Sequence, residues 1–219
     1  MSRDIYAGQY RSPAALAAWT NWSSLALVLT YAVSWTCLIL PAVIQFSEPM
    51  RNIFVTVDEQ SRNLMLVAMA ISCASYLWWC RRCIKNLHAF GVQGVKTSPR
   101  GAWLWQLAPI ANFVMGFRIM KKILLGSRLG VSAIDTTKEP NPRGLGIWWA
   151  LLLLCVVTIS TDYKEDSSGK LVLEGVGLKI FFGNLKSPMQ MIVHAMSIVI
   201  FMHYIRVATA DQINKARHQ

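Results

Sequence analysis

The sequence predicts an all-α membrane protein with four transmembrane helices plus one proline-broken re-entrant or interfacial segment. Of its 219 residues, 54% are hydrophobic and only 15% are charged, whereas a soluble domain carries about 25% charged residues. Several uncharged runs approach the roughly 20 residues that a helix needs to cross a bilayer. Lysine and arginine outnumber the acids by 22 to 11, and their placement along the chain predicts the orientation.

The predicted transmembrane helices are the four long uncharged runs, which belong to a single integral membrane domain, 1–219. A buried helix of a soluble protein seldom stays free of charge for so long. The runs cover residues 25–46, 64–80, 145–160 and 189–205. The first run is too long for the apolar region of a signal peptide and lacks a small-residue cleavage site, so we expect it to remain as an anchor.

A fifth uncharged stretch, residues 101–117, differs from these runs because it contains Pro109. A proline inside a helix removes a backbone hydrogen bond and clashes with the preceding turn. Gln106 and Asn112 add polar groups to the same stretch. It could therefore cross the membrane, lie in the interface, or enter the membrane and return.

The distribution of basic residues favours the last of these arrangements. If the stretch 101–117 crossed, the two faces would carry 11 lysines and arginines each; if it does not cross, one face carries 16 and the other six. Because lysine and arginine collect on the cytoplasmic side of short loops, the sequence predicts four crossings and both termini in the cytoplasm. Irregular backbone in the membrane must be covered by protein, so the helices would have to shield Pro109.

Two loops are predicted on the outer face. In residues 47–63, several apolar side chains share one helical face, which predicts an amphipathic helix on the membrane surface; they are Met50, Ile53, Phe54 and Val57. The second outer loop covers residues 162–187. Within it, residues 171–184 predict either a short hairpin around Gly175 and Gly177 or an interfacial strand-like stretch.

The middle of the chain carries a spaced motif. Its residues are Arg82, Asn86 and Gly91 in the pattern R-x3-N-x4-G, then Ser98-Pro99, Trp105, and Pro109 with Asn112 in the pattern P-x2-N. This motif resembles a family of bacterial multi-span membrane proteins described as a domain of unknown function. The resemblance extends from about Leu25 to the C-terminus, and this chain departs from the usual pattern at Gly101 and in a longer last outer loop. It implies an integral protein of the bacterial inner membrane and no particular activity.

The motif residues suggest a structural role. Arg82 and Asn86 are four residues apart and therefore share a helix face. We expect Arg82, Asn86 and Asn112 to pin the broken segment to the helices by interhelical hydrogen bonds, the alternative being a substrate or headgroup site. Ser98 suits the N-cap of a helix and Pro99 its first turn.

Residues 81–143 form a strongly basic stretch with 11 lysines and arginines against two acids. Attraction to an anionic membrane surface is worth about 1 kcal/mol per basic residue. The candidates for lipid binding are Arg81, Lys85, Lys96, Arg100, Arg118, Lys121 and Lys122. These charges either only fix the topology or bind anionic lipid or an acidic protein partner. No motif indicates nucleic-acid binding.

The sequence predicts no catalytic residue, metal site or cofactor. Cys80 and Cys83 share a helix face, but no second pair or nearby histidine cluster completes a zinc site. His194 and His203 are nine residues apart, on opposite sides of a helix. No predicted span contains an acid.

The leading hypothesis is a non-enzymatic membrane protein that binds partners or anionic lipid through its basic cytoplasmic face. One alternative is a small oligomeric transporter or channel lined by Asn112, His194 and His203. The other is a membrane enzyme that acts on lipid headgroups with Arg82, Asn86 and His88, of which only His88 is a plausible acid–base group.

Overall fold

The structure, a computed structural model, is mainly helical and describes residues 10–44, 46–92, 94–107, 109–128, 142, 144–165, 171–180 and 188–218. Its elements in chain order are α1 (Ala14–Val43), α2 (Glu48–Ala89), α3 (Pro99–Leu107), α4 (Pro109–Arg128), α5 (Leu145–Val156), β1 (Val157–Glu165), β2 (Leu171–Ile180) and α6 (Pro188–Arg217). The chain divides into two compact units, residues 1–143 with 198–219, and residues 144–197.

Helices α1 and α2 form a long antiparallel pair. Hydrogen bonds link them at three levels, between Asn86 and the Arg11 backbone, between Ser24 and Ser72 (2.9 Å), and from Ser34 to Asp58 (2.5 Å). Residues later in α1 contact residues earlier in α2, as antiparallel helices require. The three bonded levels show that the two helices remain in contact over most of their length. Interhelical bonds between small polar side chains are typical of helices packed in membranes.

The predicted outer loop 47–63 is helical, but it is not a separate surface helix. It is the first part of α2, a single helix of 42 residues that is about 63 Å long. No glycine or proline interrupts the chain between Met50 and Ala89, so nothing in the sequence breaks the helix. Phe54 packs against Phe46 with ring centroids 5.1 Å apart, whereas Ile53 is exposed.

The C-terminal part of α6, from Ile198 onward, runs parallel to α2. The contacts are the rings of Tyr76 and Phe201, 5.0 Å apart, the Trp79 indole N–H donating to Thr209 Oγ1 at 3.0 Å, and Asn86 donating to Gln212 at 2.8 Å. Residue numbers rise together along both helices. The start of α1 and the ends of α2 and α6 therefore meet at one end of this unit, around Arg11, Asn86 and Gln212, which we call the basic end.

Helices α3 and α4 form a helical hairpin that opens toward the basic end. The contacts at its ends are His88 Nε2 with the Thr97 carbonyl (2.9 Å), Lys122 Nζ donating to Thr97 Oγ1 (2.8 Å), and Gly126 against Leu87. Between these ends, Gln106 near the end of α3 shares a hydrogen bond with the Cys80 thiol. The chain thus runs back along α2 by about two turns and then returns, with Pro109 as the first residue of the second helix.

The structure corrects the predicted span 145–160, which is not a single helix. Helix α5 has 12 residues, about 18 Å, which is shorter than a hydrocarbon core of about 30 Å. From Val157 the chain is a strand, because the run from Val156 to Thr161 is rich in β-branched residues that favour extended backbone.

Strand β1 pairs with β2 in an antiparallel hairpin, from Val157 opposite Ile180 to Glu165 opposite Leu171. The register shifts between Asp162 and Tyr163. Of the two alternatives predicted for residues 171–184, the structure has a strand over Leu171–Ile180, and the hairpin around Gly175 and Gly177 is wrong because both glycines lie within β2. The connection between the strands falls in residues 166–170, outside the described residues.

Three of the described helices are long and apolar enough to cross a membrane. They are Ala14–Pro41, Glu48–Ala89 and Ile192–Arg217. They overlap three of the four predicted runs, and the first starts about three turns earlier than predicted.

Candidate functional site

Asn86 is the centre of a buried polar cluster at the basic end. Its side chain is fully buried, and its Nδ2 donates to Gln212 Oε1 at 2.8 Å and to the Arg11 carbonyl oxygen at 3.0 Å. The Arg11 backbone N–H donates in turn to Asn86 Oδ1 at 3.4 Å. Buried polar groups are costly unless paired, and this amide is paired on both sides. It therefore joins the segment before α1 to α2 and α6.

Gln212 extends this cluster to α4. It is also fully buried, and its Nε2 donates to Ser127 Oγ at 3.1 Å and to the Cys83 carbonyl oxygen at 3.4 Å. Four segments of the chain therefore meet at two amide side chains. Such a network stabilises one arrangement of the helices when every member is paired.

The predicted pin formed by Arg82, Asn86 and Asn112 is only partly what the structure contains. Asn86 does connect helices, but its partners are Gln212 and the Arg11 backbone. Arg82 is partly exposed and makes no hydrogen bond or ion pair with another described residue. Asn112 lies in α4, and its side chain is outside the described residues.

Sequence reasoning missed Gln212 because the tail after Arg206 reads as a solvated charged helix. The spacing of the polar residues in this tail could have indicated that Gln212 faces other helices. Thr209, Gln212 and Lys215 follow one another at intervals of three, which places them on one helix face. All three make hydrogen bonds to other helices, so this face is the packed one.

Lys215 lies at the edge of the polar cluster, where it contacts both α4 and Phe90. Its Nζ donates to the Gly126 carbonyl oxygen at 3.2 Å and lies 5.4 Å from the centre of the Phe90 ring. The Tyr10 ring stacks on the same phenylalanine, with centroids 5.4 Å apart. A cation over an aromatic face is attracted by the ring quadrupole, so Phe90 connects the start of the chain to the end of α6.

Gly91 of the motif ends α2. Its φ is +69°, in the left-handed region where glycine is favoured. The Gly91 N–H donates to the His88 carbonyl and the Val92 N–H to the Leu87 carbonyl, both at 3.0 Å. These two bonds form a Schellman motif, which satisfies the last carbonyls of a helix.

Ser98 and Pro99 begin α3. The Ser98 hydroxyl oxygen accepts a hydrogen bond from the Gly101 N–H at 2.9 Å, and Pro99 is the first helical residue, as their positions in the sequence predict. Trp105 of the motif is exposed, so it does not pack into the core of this unit.

The candidate lipid-binding residues differ in exposure. Arg81, Lys96, Arg100 and Arg118 are exposed, whereas Lys85, Lys121 and Lys122 are partly buried. Partial burial lowers the pKa of Lys122, and the nearby charges of Arg118 and Lys96 lower it further. Arg118 and Lys96 therefore each lie close enough to Lys122 to repel its charge.

Of the four acids in the described helices, Asp211 lies at the basic end, where the charge of Arg128 acts on it, and the other three lie in the first half of α2. The two ion pairs found there are Arg51 with Glu48 and Arg62 with Asp58, both in the first turns of α2, at the opposite end of that helix. Within the described residues, no group of three or more His, Cys, Asp or Glu side chains is arranged to hold a metal ion. Cys80 and Cys83 are buried free thiols.

Three helices that are able to cross a bilayer are consistent with an integral membrane protein. A comparison with family models identifies the family of the chain. The model of a domain of unknown function, DUF4328, matches residues 53–212, more than half of the chain, and the protein belongs to this family. The match begins within α2 and includes every motif position from Arg82 to Asn112. No curated protein and no solved structure matches the chain.

Proposed function

We propose that the protein crosses the bacterial inner membrane four times and binds anionic lipid through its basic cytoplasmic face, without enzymatic activity. The observation that carries the proposal is the course of the α3–α4 hairpin. Its two ends contact His88 and Leu87 at the basic end, so the chain leaves that end and comes back to it.

The hairpin has the depth of a segment embedded in one side of a bilayer. Helix α3 has nine residues, about 13 Å, and its last turn reaches Cys80, where the uncharged run of α2 ends. The tip of the hairpin thus lies at the end of the uncharged run of α2, and its ends lie about two turns further along, at Leu87 and His88. This supports a segment that enters and leaves by the same face.

The direction of α6 supports a fourth crossing. Helix α4 ends at the basic end, because Ser127 bonds to Gln212. From Ile198 onward, helix α6 runs parallel to α2 and also ends there, so a crossing by this helix runs toward the basic end. Because α4 and α6 both end at the basic end, a crossing by α6 requires one further crossing in the chain between these two helices.

The pairing of α1 with α2 favours a membrane position different from the one that hydropathy alone predicts. Arg62, Asp58 and the other charges of early α2 lie opposite Ser34 and the residues after it. If the uncharged part of α2 fills the hydrocarbon, the matching part of α1 is about residues 16–31. The apolar residues that follow in α1 then reach the headgroup region on the outer face.

The basic end supplies the charge for lipid binding. Lys96, Arg100 and Arg118 are exposed there and make no ion pair with a described residue. The surplus of basic residues in the loops favours a cytoplasmic position for this end, where anionic lipids attract basic side chains near the membrane surface.

Anionic lipid is expected to raise the melting temperature of the purified protein in nanodiscs. Discs of phosphatidylcholine with phosphatidylglycerol should give a Tm several degrees above that in phosphatidylcholine alone, because a ligand of the folded state stabilises it. The difference should shrink at 0.5 M salt, where the Debye length is only about 4 Å. Arg51→Gln is the matched control because it removes a cation at the opposite end of α2. In this variant the difference in Tm between the two kinds of disc should be unchanged. Equal melting temperatures in the two discs at low salt would contradict lipid binding.

A further inference from the structure

The loop between α2 and α3 is held in place by both neighbouring helices. His88 of α2 bonds the Thr97 carbonyl at 2.9 Å, and Lys122 of α4 donates to Thr97 Oγ1 at 2.8 Å. Ser98 then caps α3. These bonds fix the loop backbone, so the neighbouring Lys96 projects from an anchored segment.

Three cations converge at this loop. Lys122 Nζ is placed by its bond to Thr97, Lys96 precedes that threonine, and Arg118 lies one turn before Lys122 on α4. Burial lowers the pKa of Lys122, and the charges of Arg118 and Lys96 lower it further, as expected for cations placed next to Thr97 and one helical turn away. Lys96 and Arg118 are exposed, and neither makes an ion pair with a described residue.

Such a cluster favours an anion. Like charges held together are destabilising, and a bound anion removes the repulsion while accepting hydrogen bonds from all three side chains. A phosphate group has several strong acceptor oxygens and the matching charge. Lys122 keeps donor hydrogens beyond its bond to Thr97, since an ammonium group has three. The cluster also stands at the open end of the α3–α4 hairpin, the level at which lipid headgroups lie if the proposed membrane placement holds.

We propose that Lys96, Arg118 and Lys122 form a phosphate-binding subsite that takes the headgroup phosphate of an anionic membrane lipid. This inference rests on the proposed function and narrows it from a diffuse basic face to three residues. The Thr97 hydroxyl, held by Lys122, orients the site without carrying charge.

The test measures binding of short-chain phosphatidylglycerol, and separately of inorganic phosphate, to the full-length protein in a neutral detergent. We expect Lys122→Gln and the double variant Lys96→Gln/Arg118→Gln each to weaken lipid binding about tenfold or more. Lys122→Arg should keep most of the affinity, because it keeps the charge. Arg217→Gln is the matched control, an exposed cation of the same basic end, and should change the affinity less than twofold.

The two ligands distinguish the source of the phosphate. Tight binding of the lipid and weak binding of inorganic phosphate supports a headgroup site, whereas equal binding supports the subsite with free phosphate as its ligand. If Arg217→Gln weakens binding as much as Lys122→Gln does, the subsite is refuted and the diffuse basic face survives. If the unaltered protein binds neither ligand, both proposals fail. The exposed pair of the double variant decides the matter should Lys122→Gln not fold.

Discussion

Replacement of Asn86 by leucine is expected to destabilise the protein by about 2–3 kcal/mol, since it leaves buried polar groups without partners. The side chain of Gln212 and the Arg11 carbonyl both lose a donor. Leucine is similar in size, so the loss comes from the missing hydrogen bonds rather than from a cavity. The measurement is unfolding by denaturant in detergent, followed by tryptophan fluorescence.

A matched control separates this loss from a general effect of added hydrophobicity. Asn52→Leu changes the same residue type at an exposed position of α2 and should alter the stability by less than about 0.5 kcal/mol. The double variant Asn86→Leu/Gln212→Leu should be more stable than the sum of the single losses predicts, because residues of one network couple by about 0.5–3 kcal/mol. Strict additivity, or an Asn86→Leu protein as stable as the original, would contradict the cluster.

Replacement of Gly126 by leucine is expected to cost about 2–3 kcal/mol through overpacking. A Cβ at this position would lie 2.9 Å from Leu87 Cδ1 and 3.1 Å from Cδ2. Leu87 is fully buried, so it has no free space into which to move. The larger side chain would therefore push α4 away from α2 and open the hairpin at the basic end.

Smaller changes at the same contact test this explanation. Gly126→Ala should cost much less, because alanine favours the helix by about 1 kcal/mol over glycine and this gain offsets part of the clash. Leu87→Ala in the Gly126→Leu background should restore stability by vacating the space. The same unfolding measurement applies to all three. A Gly126→Leu protein of unchanged stability would mean that α4 does not approach α2 at Leu87.

The sequence could predict the helix ends that depend on neighbouring residues. It could not predict hydrogen bonds between residues far apart in the chain. The helix start at Ser98-Pro99 and the helix end at Gly91 depend on bonds within a few residues, so residue type alone indicates them. The partner of Asn86 lies on α6, 126 residues further along the chain. No periodicity in the intervening sequence identifies such a partner, and Asn112 was predicted because it lay nearest in the motif.

Hydropathy predicted where helices are apolar but not where they end. Residues 47–63 carry charges, so hydropathy predicts a loop there. A helix can nevertheless continue through charged residues, and α2 does so. In residues 145–160 the apolar run continues while the backbone changes from helix to strand at Val157. The chain changes there from a leucine-rich stretch to one rich in β-branched residues, and that change was the available signal.

The central claim is that the α3–α4 hairpin enters and leaves the membrane by one face. The direct measurement uses a cysteine-free protein with single cysteines at Lys96 or Arg128, both exposed and on opposite flanks of the hairpin. In intact cells an impermeant thiol reagent should label neither position, and in inverted membrane vesicles it should label both. Labelling of one flank from outside the cell and the other from inside would mean that the segment crosses, and the account would be wrong.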